Sequence, residues 1–381
     1  MAGIRQGAPM RILRLTVDRL RNLAPVDLRP APGLNLVIGD NGAGKTSLLE
    51  AIHVLAFGRS FRGRVRDGLI RTGSEALAVF VELEELDGAG SGPSRVRRIG
   101  LRHAGGQWEG RVDGQPVDQL GLLCSRLAAL TFEPGSHALV VGGGEPRRRF
   151  LDWGLFHVEP GDSGGFLTVW RRYARALKQR NALLRQLARG AELDVWDREL
   201  ALAGEALDRR RSDYLERLQP RLAEASGELA PALGAAVFAY QPGWRRDELP
   251  LVDALLLARE RDRQAGHTSV GPHRADWRIQ HANRPEGEAL SRGQAKLTAL
   301  ACLLAQGADY AMERGAWPVI LLDDLASELD DAHQRRLLER LRSSGAQVFI
   351  TGTVVPSSLA DGDIPVRRFH VEQGQVEPNQ V

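Results

Sequence analysis

The segment Gly39–Thr46, GDNGAGKT, decides the fold of this chain. It matches the phosphate-binding loop G-x-x-x-x-G-K-[ST], whose backbone N–H groups wrap a polyphosphate at the positive end of a helix dipole. Residues 34–38 before the loop form a short apolar run typical of a buried strand. Residues 45–57 after it place leucines and isoleucine on one helical face. The sequence therefore predicts an α/β fold built around a triphosphate site.

The lysine of this loop is one of very few in the chain. Of 51 Lys and Arg residues, only Lys45, Lys178 and Lys296 are lysines. A lysine in the one loop position that demands it argues against a chance match. We expect Lys45 to reach the β- and γ-phosphates and the Thr46 hydroxyl to ligate Mg²⁺.

Length and composition fit a globular protein of 381 residues with 43% hydrophobic residues and a net charge of +3. No run of about 18 apolar residues occurs, and residues 1–10 lack an apolar signal core. Cys124 and Cys302 are too few for a disulfide framework and lack zinc spacing. We therefore expect a cytoplasmic protein with no membrane span, in which a local patch of charge would have to hold any nucleic acid.

The residue pattern divides the chain into four segments. We predict an N-terminal extension, an α/β segment that carries the phosphate loop, a helical insertion, and a second α/β segment. The respective bounds are 1–9, 10–144, 145–265 and 266–381. Within the first α/β segment, the Gly- and Ser-rich residues 87–94 indicate a hairpin loop.

The helical insertion contains two apolar stripes at a spacing of three to four residues. The first begins at Phe166 and stops at Gly190, and the second begins at Trp196 and stops at Pro220. These stripes predict two amphipathic helices of about 25 residues, roughly 37 Å long. A short connection between them favours an antiparallel pair.

The segment VILLDDLASELD, residues 319–330, is a candidate for the metal-binding half of the site. An apolar strand that ends in two acids would place Asp323 near Mg²⁺ and let Asp324 polarise an attacking water. Two acids after a strand also suit an ordinary helix cap. Their position downstream of a phosphate loop favours the metal site.

The segment ALSRGQAK, residues 289–296, has the composition of a helix start. Ser291 can cap the apolar helix that follows, and this N-terminus could bind a second anionic group. Read alone, the segment fits an ordinary helix N-terminus equally well.

Taken in their order along the chain, these motifs resemble the ABC-type ATPases, and among them the RecF family of bacterial recombinational-repair ATPases. The segments that carry this closer resemblance are GRSFRG (58–63), EPRRRFLDWG (145–154), LKQRNALLR (177–185), GPHRAD (271–276) and the signature form SRGQAK (291–296). The resemblance covers nearly the whole chain from Met10. It implies an ABC-type P-loop ATPase head with an inserted lobe of antiparallel helices.

The resemblance also implies a head-to-tail homodimer that encloses two ATP molecules with Mg²⁺. The residues implied to act in cis are Gly39, Asn41, Gly42, Gly44, Lys45, Thr46 and Ser47, with Asp323 on the metal, Asp324 and Lys45 as catalytic residues, and Arg21 and Asn22 near the nucleotide. The signature residues implied to act from the partner are Ser291, Gly293 and Gln294.

Two positions depart from the general ABC pattern. Asp324 stands where most ABC-type ATPases have Glu, and its shorter carboxylate implies slow turnover. No His follows the last strand of the site, so either Thr351 or Thr353 would sense the γ-phosphate.

By the same resemblance, the ATP-bound form would bind double-stranded DNA and single-strand/double-strand junctions without sequence preference. It would act with RecR and RecO to help load RecA at single-strand gaps. The arginines after the phosphate-loop helix are candidate DNA contacts: Arg59, Arg62, Arg64, Arg66 and Arg71. A second basic group lies on the first insertion helix: Arg171, Arg172, Arg175 and Lys178. Either group would also fit a solvated face.

Three other classes of protein remain open at this stage. A transporter nucleotide-binding subunit would need a membrane partner and a shorter, less basic insertion. A relative of the structural-maintenance-of-chromosomes proteins would need a long coiled coil between the two motif halves. A DNA-binding module without catalysis would not need the paired acids.

Overall fold

The computed structural model of the protein describes residues 10–63, 68–86, 94–159, 165–186, 190–285, 288–359 and 365–378. The chain separates into two compact units, one formed by residues 1–136 with 307–381 and the other by residues 137–306. The predicted extension 1–9 and most of the predicted hairpin loop, residues 87–93, lie outside the described residues.

The division into units differs from the predicted one, in which the second α/β segment began at residue 266. The reason lies in a strand pairing: Asp276–His281 is hydrogen-bonded to Ala236–Gln241 of the helical insertion. The segment up to Gln306, which includes the signature, therefore belongs to the second unit.

The described strands include the predicted strand before the phosphate loop, residues 34–38, and the predicted apolar strand that begins at Val319. They are β1 (Arg11–Asp18), β2 (Val26–Leu28), β3 (Leu34–Ile38), β4 (Ala76–Leu86), β5 (Ser94–Ala104), β6 (Gln107–Val112), β7 (Gln115–Val117), β8 (Ala129–Phe132), β9 (Ala236–Gln241), β10 (Asp276–His281), β11 (Val319–Leu322), β12 (Val348–Gly352), β13 (Val366–Glu372) and β14 (Gln375–Pro378).

The described α-helices are α1 (Lys45–Phe57), α2 (Leu120–Cys124), α3 (Ala138–Val141), α4 (Gly144–Val158), α5 (Phe166–Arg185), α6 (Gly190–Leu229), α7 (Leu251–Ala265), α8 (Arg292–Arg314), α9 (Leu325–Glu328) and α10 (Asp331–Ser344). Among the described residues, no helix combines the length and the apolar character that crossing a lipid bilayer would require.

Two six-stranded sheets form the first unit. One is antiparallel in the order β2-β1-β4-β5-β6-β7, and the other has the order β14-β13-β3-β12-β11-β8. In the second sheet β13, β3, β12, β11 and β8 run parallel, and the continuous apolar run of β11 is typical of a buried parallel strand. Since parallel strands present their carboxyl ends at one edge, the ends of β3, β11 and β12 meet there.

Helix α1 belongs to the core of the first unit. It contacts β4 of the antiparallel sheet and both β8 and β12 of the parallel sheet. Its predicted apolar face is buried, and so are most of its other side chains, because strands of both sheets pack against it. The helix that follows the phosphate loop is thus packed between strands of both sheets.

The second unit contains the predicted pair of antiparallel helices. Arg180 of α5 pairs with Asp197 of α6, and Tyr173, nearer the start of α5, lies against Gly204, further along α6. The predicted ends of these helices were wrong. Helix α5 stops at Arg185, and α6 begins at Gly190 and runs for 40 residues.

Helix α6 continues past Pro220, where the sequence predicts an end. Proline removes one backbone donor and usually kinks or ends a helix. Here the turns after it bury Leu222, Ala225 and Leu229, and this packing outweighs the local preference of proline. The helix is therefore roughly 60 Å long at 1.5 Å per residue.

Candidate nucleotide site

The phosphate loop joins β3 to α1 and depends on glycine at three positions. Gly42 and Gly44 have φ angles of 81° and 120°, in a region that residues with a Cβ rarely adopt. A Cβ at Gly39 would lie 2.0 Å from the carbonyl oxygen of Val371. Glycines in such conformations let successive backbone N–H groups of a loop turn toward an anion.

Lys45 lies at the start of α1 with its side chain buried. Its Nζ donates hydrogen bonds to the carbonyl oxygens of Gly39, at 2.7 Å, and Asp40, at 2.8 Å. Because both acceptors are neutral, the positive charge of the ammonium group remains available to a phosphate.

Asp323 follows β11 and accepts hydrogen bonds from hydroxyl groups of two other elements. Thr46 Oγ1 lies 2.9 Å and Thr351 Oγ1 2.7 Å from its Oδ1. Burial raises the pKa of the Asp323 carboxyl, while the hydrogen bonds from Thr351 and Thr46 act in the opposite direction.

These oxygens fit a magnesium ion. Mg²⁺ takes oxygen ligands at about 2.1 Å in octahedral geometry, so neighbouring ligand oxygens lie about 3 Å apart. The distance of 2.9 Å between Thr46 Oγ1 and Asp323 Oδ1 agrees with that spacing. One carboxylate and one hydroxyl also suit a metal that fills its other positions with phosphate and water.

Asp324 adopts the left-handed backbone conformation, with φ 51° and ψ 46°. Its N–H donates to Thr351 Oγ1 at 2.8 Å, and Asp324 lines the same cavity as Asp323. Asp and Asn are enriched in this backbone region, which gives a physical reason for an Asp at this position.

The turn after β1 forms one wall of the site. Asn22 Nδ2 donates to the carbonyl oxygen of Gly42 at 3.0 Å, and Ser47 Oγ donates to Asn22 Oδ1 at 3.3 Å. Arg21 forms two hydrogen bonds with the buried carboxylate of Glu50. Arg21 and Asn22, which the family resemblance places near the nucleotide, therefore lie beside the phosphate loop.

A cavity of about 800 Å³ collects most of the predicted cis residues. The predicted residues in its lining are Arg21, Asn22, Asn41, Gly42, Gly44, Lys45, Thr46, Ser47, Asp323, Asp324 and Thr351. Of the two candidate sensors, Thr351 lines the cavity and Thr353 is exposed and outside that lining.

The chain matches the model of the RecF/RecN/SMC N-terminal domain over residues 11–377. It is 64% identical to the DNA replication and repair protein RecF of Stenotrophomonas maltophilia (strain R551-3) over 367 residues, 96% of this chain and 99% of that protein. The chain belongs to the RecF family. The RecF of Pseudomonas paraeruginosa (strain DSM 24068 / PA7) is 42% identical, over 96% of this chain and 97% of that protein.

Solved structures agree with this assignment to the RecF family. The recombination mediator protein RecF–ATP of the RecFOR pathway has a TM-score of 0.85 at 26% identity, covering 99% of this chain and all of that one. An SMC head bound to the C-terminal winged-helix domain of ScpA shares the fold, with a TM-score of 0.60 at 16% identity and 97% of each chain covered. The predicted α/β ATPase head with a helical insertion is confirmed.

The RecF-type signature lies in the second unit, at the start of α8. Gln294 N–H donates to Ser291 Oγ at 3.2 Å, and Ser291 N–H donates to Gln294 Oε1 at 2.9 Å. This reciprocal arrangement is a capping box, so the predicted N-cap at Ser291 is confirmed. Gly293 is exposed, and a Cβ there would meet no atom within 4 Å. The cavity lining described above contains none of these three residues.

The arginines considered as DNA contacts of a RecF protein are only partly described. Arg59 is exposed, Arg62 and Arg71 line the nucleotide cavity, and Arg64 and Arg66 lie outside the described residues. The predicted basic group of α5, Arg171, Arg172, Arg175 and Lys178, is exposed, and Arg172 forms an ion pair with Glu199.

Three features of the site escaped the sequence patterns. Glu50 forms an ion pair with Arg21. Arg62, predicted only as a DNA contact, also lines the cavity, and Gln373 lines it from the turn between β13 and β14. Gly374 in that turn donates a 2.8 Å hydrogen bond to the carbonyl oxygen of Ala43. Gln373 and Gly374 both have a positive φ in this turn. The glycine is a sequence signal for a turn, but no motif identifies the turn as part of the site.

Proposed function

We propose that the protein is an ATP-dependent DNA-binding clamp of recombinational repair in the cytoplasm. The observation that supports this function most directly is the contact of Thr46 with Asp323, which are 277 positions apart in the chain and 2.9 Å apart in space. It joins the phosphate loop to the acids that follow β11. An ATPase needs both halves, and a simple DNA-binding module needs neither.

The residues of the site have separate roles in slow ATP hydrolysis. Lys45 and the backbone N–H groups of the phosphate loop neutralise phosphate charge. Thr46 and Asp323 would hold Mg²⁺, which would supply positive charge to the phosphates. Asp324 orients the attacking water and accepts its proton. Catalysis would therefore come mainly from orienting the attacking water and neutralising the phosphate charge.

The signature would complete the site from a second copy of the chain. Gly293 and Ser291 are exposed at the N-terminus of the 23-residue helix α8, where backbone N–H groups favour an anion. The capping box already fixes the side chains of Ser291 and Gln294. We infer a head-to-tail homodimer that forms around two ATP molecules.

The DNA ligand would be duplex or a single-strand/double-strand junction, held through its phosphates. Arg59 and Arg62 follow α1 directly, so their position ties them to the nucleotide. The names of the relatives place RecF proteins in DNA replication and repair and in the RecFOR pathway. RecR, with RecO, is therefore the proposed protein partner, and loading of RecA at gaps is the proposed outcome.

Solution mass tests this function. The protein is measured alone, with MgATP, and with MgATP and duplex DNA, beside a Lys45→Ala variant in the same three conditions. We expect a monomer alone, a dimer with MgATP, and a larger DNA complex that the variant does not form. A wild-type protein that stays monomeric in all three conditions would refute the clamp mechanism.

A further inference from the structure

Glu50 is a buried acid on the helix that follows the phosphate loop. Its side chain is 0% exposed, although most of α1 faces apolar neighbours. A buried carboxylate is tolerated only with charged or hydrogen-bonding partners, because it has lost its hydration. Among the described residues Glu50 has three such partners, Arg21, Ser60 and Arg62, and they come from segments on either side of α1 in the chain.

The contact of Glu50 with Arg21 is tight. Arg21 Nε lies 2.9 Å from Oε2 and Arg21 Nη2 lies 2.8 Å from Oε1, so the two planar groups are fixed against each other. The Arg21 backbone has a positive φ of 54°, and its N–H donates to the carbonyl oxygen of Leu69 at 2.8 Å. Arg21 is thus held at the cavity wall by both its side chain and its backbone.

The contact of Glu50 with the segment 58–63 runs through a hydroxyl. Ser60 Oγ donates to Glu50 Oε1 and accepts the N–H of Arg62 at 2.9 Å. The guanidinium of Arg62 is 3.9 Å from Glu50 Oε2, and its side chain is 46% exposed. Glu50 therefore fixes the backbone at Arg62 but holds its side chain loosely.

We propose that Glu50 is a positioning residue that couples occupancy of the nucleotide cavity to the basic segment 58–63. Arg21 and Arg62 both line that cavity, so a bound polyphosphate attracts the same two guanidinium groups as Glu50 does. The bidentate pair keeps Arg21 in place, and the looser contact lets Arg62 move toward the phosphates. The movement of Arg62 shifts Ser60 through the connecting backbone, and with it the neighbouring Arg59.

This inference rests on the proposed function for the ligand, a nucleoside triphosphate, and leads from it to the surface proposed for DNA. The coupling takes place within one chain. It can therefore be measured without DNA and without a dimer partner, which separates it from the clamp mechanism.

Hydrogen–deuterium exchange of the full chain, with and without saturating MgATP, tests the coupling. The variants are Glu50→Gln, which keeps the shape and removes the charge, and Glu85→Gln as the control. Glu85 forms a partly buried ion pair with Arg97, at 3.0 Å, on β4 and β5. Protection of the phosphate-loop peptide 39–45 reports occupancy of the cavity in every variant.

We expect MgATP to slow exchange in residues 58–63 about threefold or more in the wild type and in Glu85→Gln, and by less than about 1.5-fold in Glu50→Gln. The phosphate-loop peptide should stay protected in all three proteins. If the role of Glu50 is purely structural, Glu50→Gln should lower the melting temperature of the protein, and residues 58–63 should still respond to MgATP.

Two outcomes would overturn the coupling: a wild-type response of residues 58–63 in Glu50→Gln, or no response of that segment in a wild type whose phosphate loop is protected. If Glu50→Gln does not fold, Ser60→Ala replaces it, since it removes only the hydroxyl between Glu50 and Arg62. A Ser60→Ala protein that responds like the wild type would equally refute the proposal. Absence of duplex binding by the wild type would refute the clamp alone.

Discussion

Thr351 donates a hydrogen bond of 2.7 Å from Oγ1 to Asp323 Oδ1. The same hydroxyl oxygen accepts the N–H of Asp324 at 2.8 Å. One buried side chain at the end of β12 thus orients both acids that follow β11. This relationship favours Thr351 over the exposed Thr353 as the residue that responds to the phosphate end of the site.

Thr351→Val should therefore impair hydrolysis. Valine keeps the shape and removes the hydroxyl, so Asp323 loses a hydrogen bond to its charged form and the Asp324 N–H loses its acceptor. A hydrogen bond to a charged group contributes about 1.5–3 kcal/mol, which corresponds to a fall in MgATPase rate of roughly tenfold or more. The matched control is Thr353→Val, which should keep the wild-type rate. Equal losses in both variants would contradict the assignment.

Asp324→Asn should trap the ATP-bound dimer and prolong duplex binding. Asparagine tolerates the left-handed conformation at this position, with φ 51°, so the change removes the charge without straining the backbone. We expect single-turnover hydrolysis to slow and dissociation of the DNA complex to slow with it. An Asp324→Asn protein that hydrolyses ATP at the wild-type rate would show that Asp324 is not the catalytic base.

A mixture of two inactive variants tests whether the site is shared between chains. Lys45→Ala removes the phosphate-loop charge, and Ser291→Arg blocks the signature from approaching a phosphate. Each homodimer should be inactive. In a mixed dimer both defects fall on the same composite site, so at most about half of the sites regain an intact loop facing an intact signature.

The measurement is ATPase activity as the ratio of the two variants is titrated, with dimer formation followed in parallel. Activity that rises with the fraction of mixed dimers would establish the composite site. Mixed dimers that form normally and stay inactive would count against it, because a loop and signature within one chain leave every chain defective.

Replacement of Arg59, Arg62 and Arg64 by Ala should weaken duplex binding and flatten its salt dependence. For every DNA phosphate that the variant no longer neutralises, the slope of log K against log salt concentration should fall by about 0.9. The matched control replaces Arg171, Arg175 and Lys178 of α5, which removes the same charge from another exposed surface. A slope that changes only in the control would move the DNA site to the helical insertion.

The buried His53 should make stability depend on pH. Burial lowers the pKa of its imidazole from 6.5 to about 3, so between these values the unfolded chain binds more protons than the folded one. The free energy of unfolding should fall as the pH falls below 6.5, by about 2 kcal/mol at pH 5 from this group.

Urea unfolding at pH 7 and pH 5 measures this contribution. His53→Gln should show a smaller loss of stability between the two values than the wild type, because glutamine does not titrate. His370→Gln, which changes an exposed residue in the same unit, should keep the wild-type loss. The same pH dependence in all three proteins would exclude His53 as the source.

The sequence by itself determined the phosphate loop, the strand before that loop, the strand before the paired acids, and the capped helix of the signature. These features depend on neighbours within a few residues: glycine conformations in Gly39–Gly44, the apolar run Val319–Leu322, and the spacing of Ser291 and Gln294. Local patterns of this kind specify an element and its chemistry before any tertiary contact forms.

The tertiary structure decided the rest, because those features depend on contacts between distant residues. Sheet order brings Thr351 to Asp323, and a hairpin turn brings Gln373 to the cavity. Glu50 resembles any helical surface acid in sequence until folding buries it beside Arg21. Packing along α6 likewise overrode Pro220. The stability of these features comes from burial and from contacts between residues far apart in the chain. A short stretch of sequence does not contain both residues of such a contact.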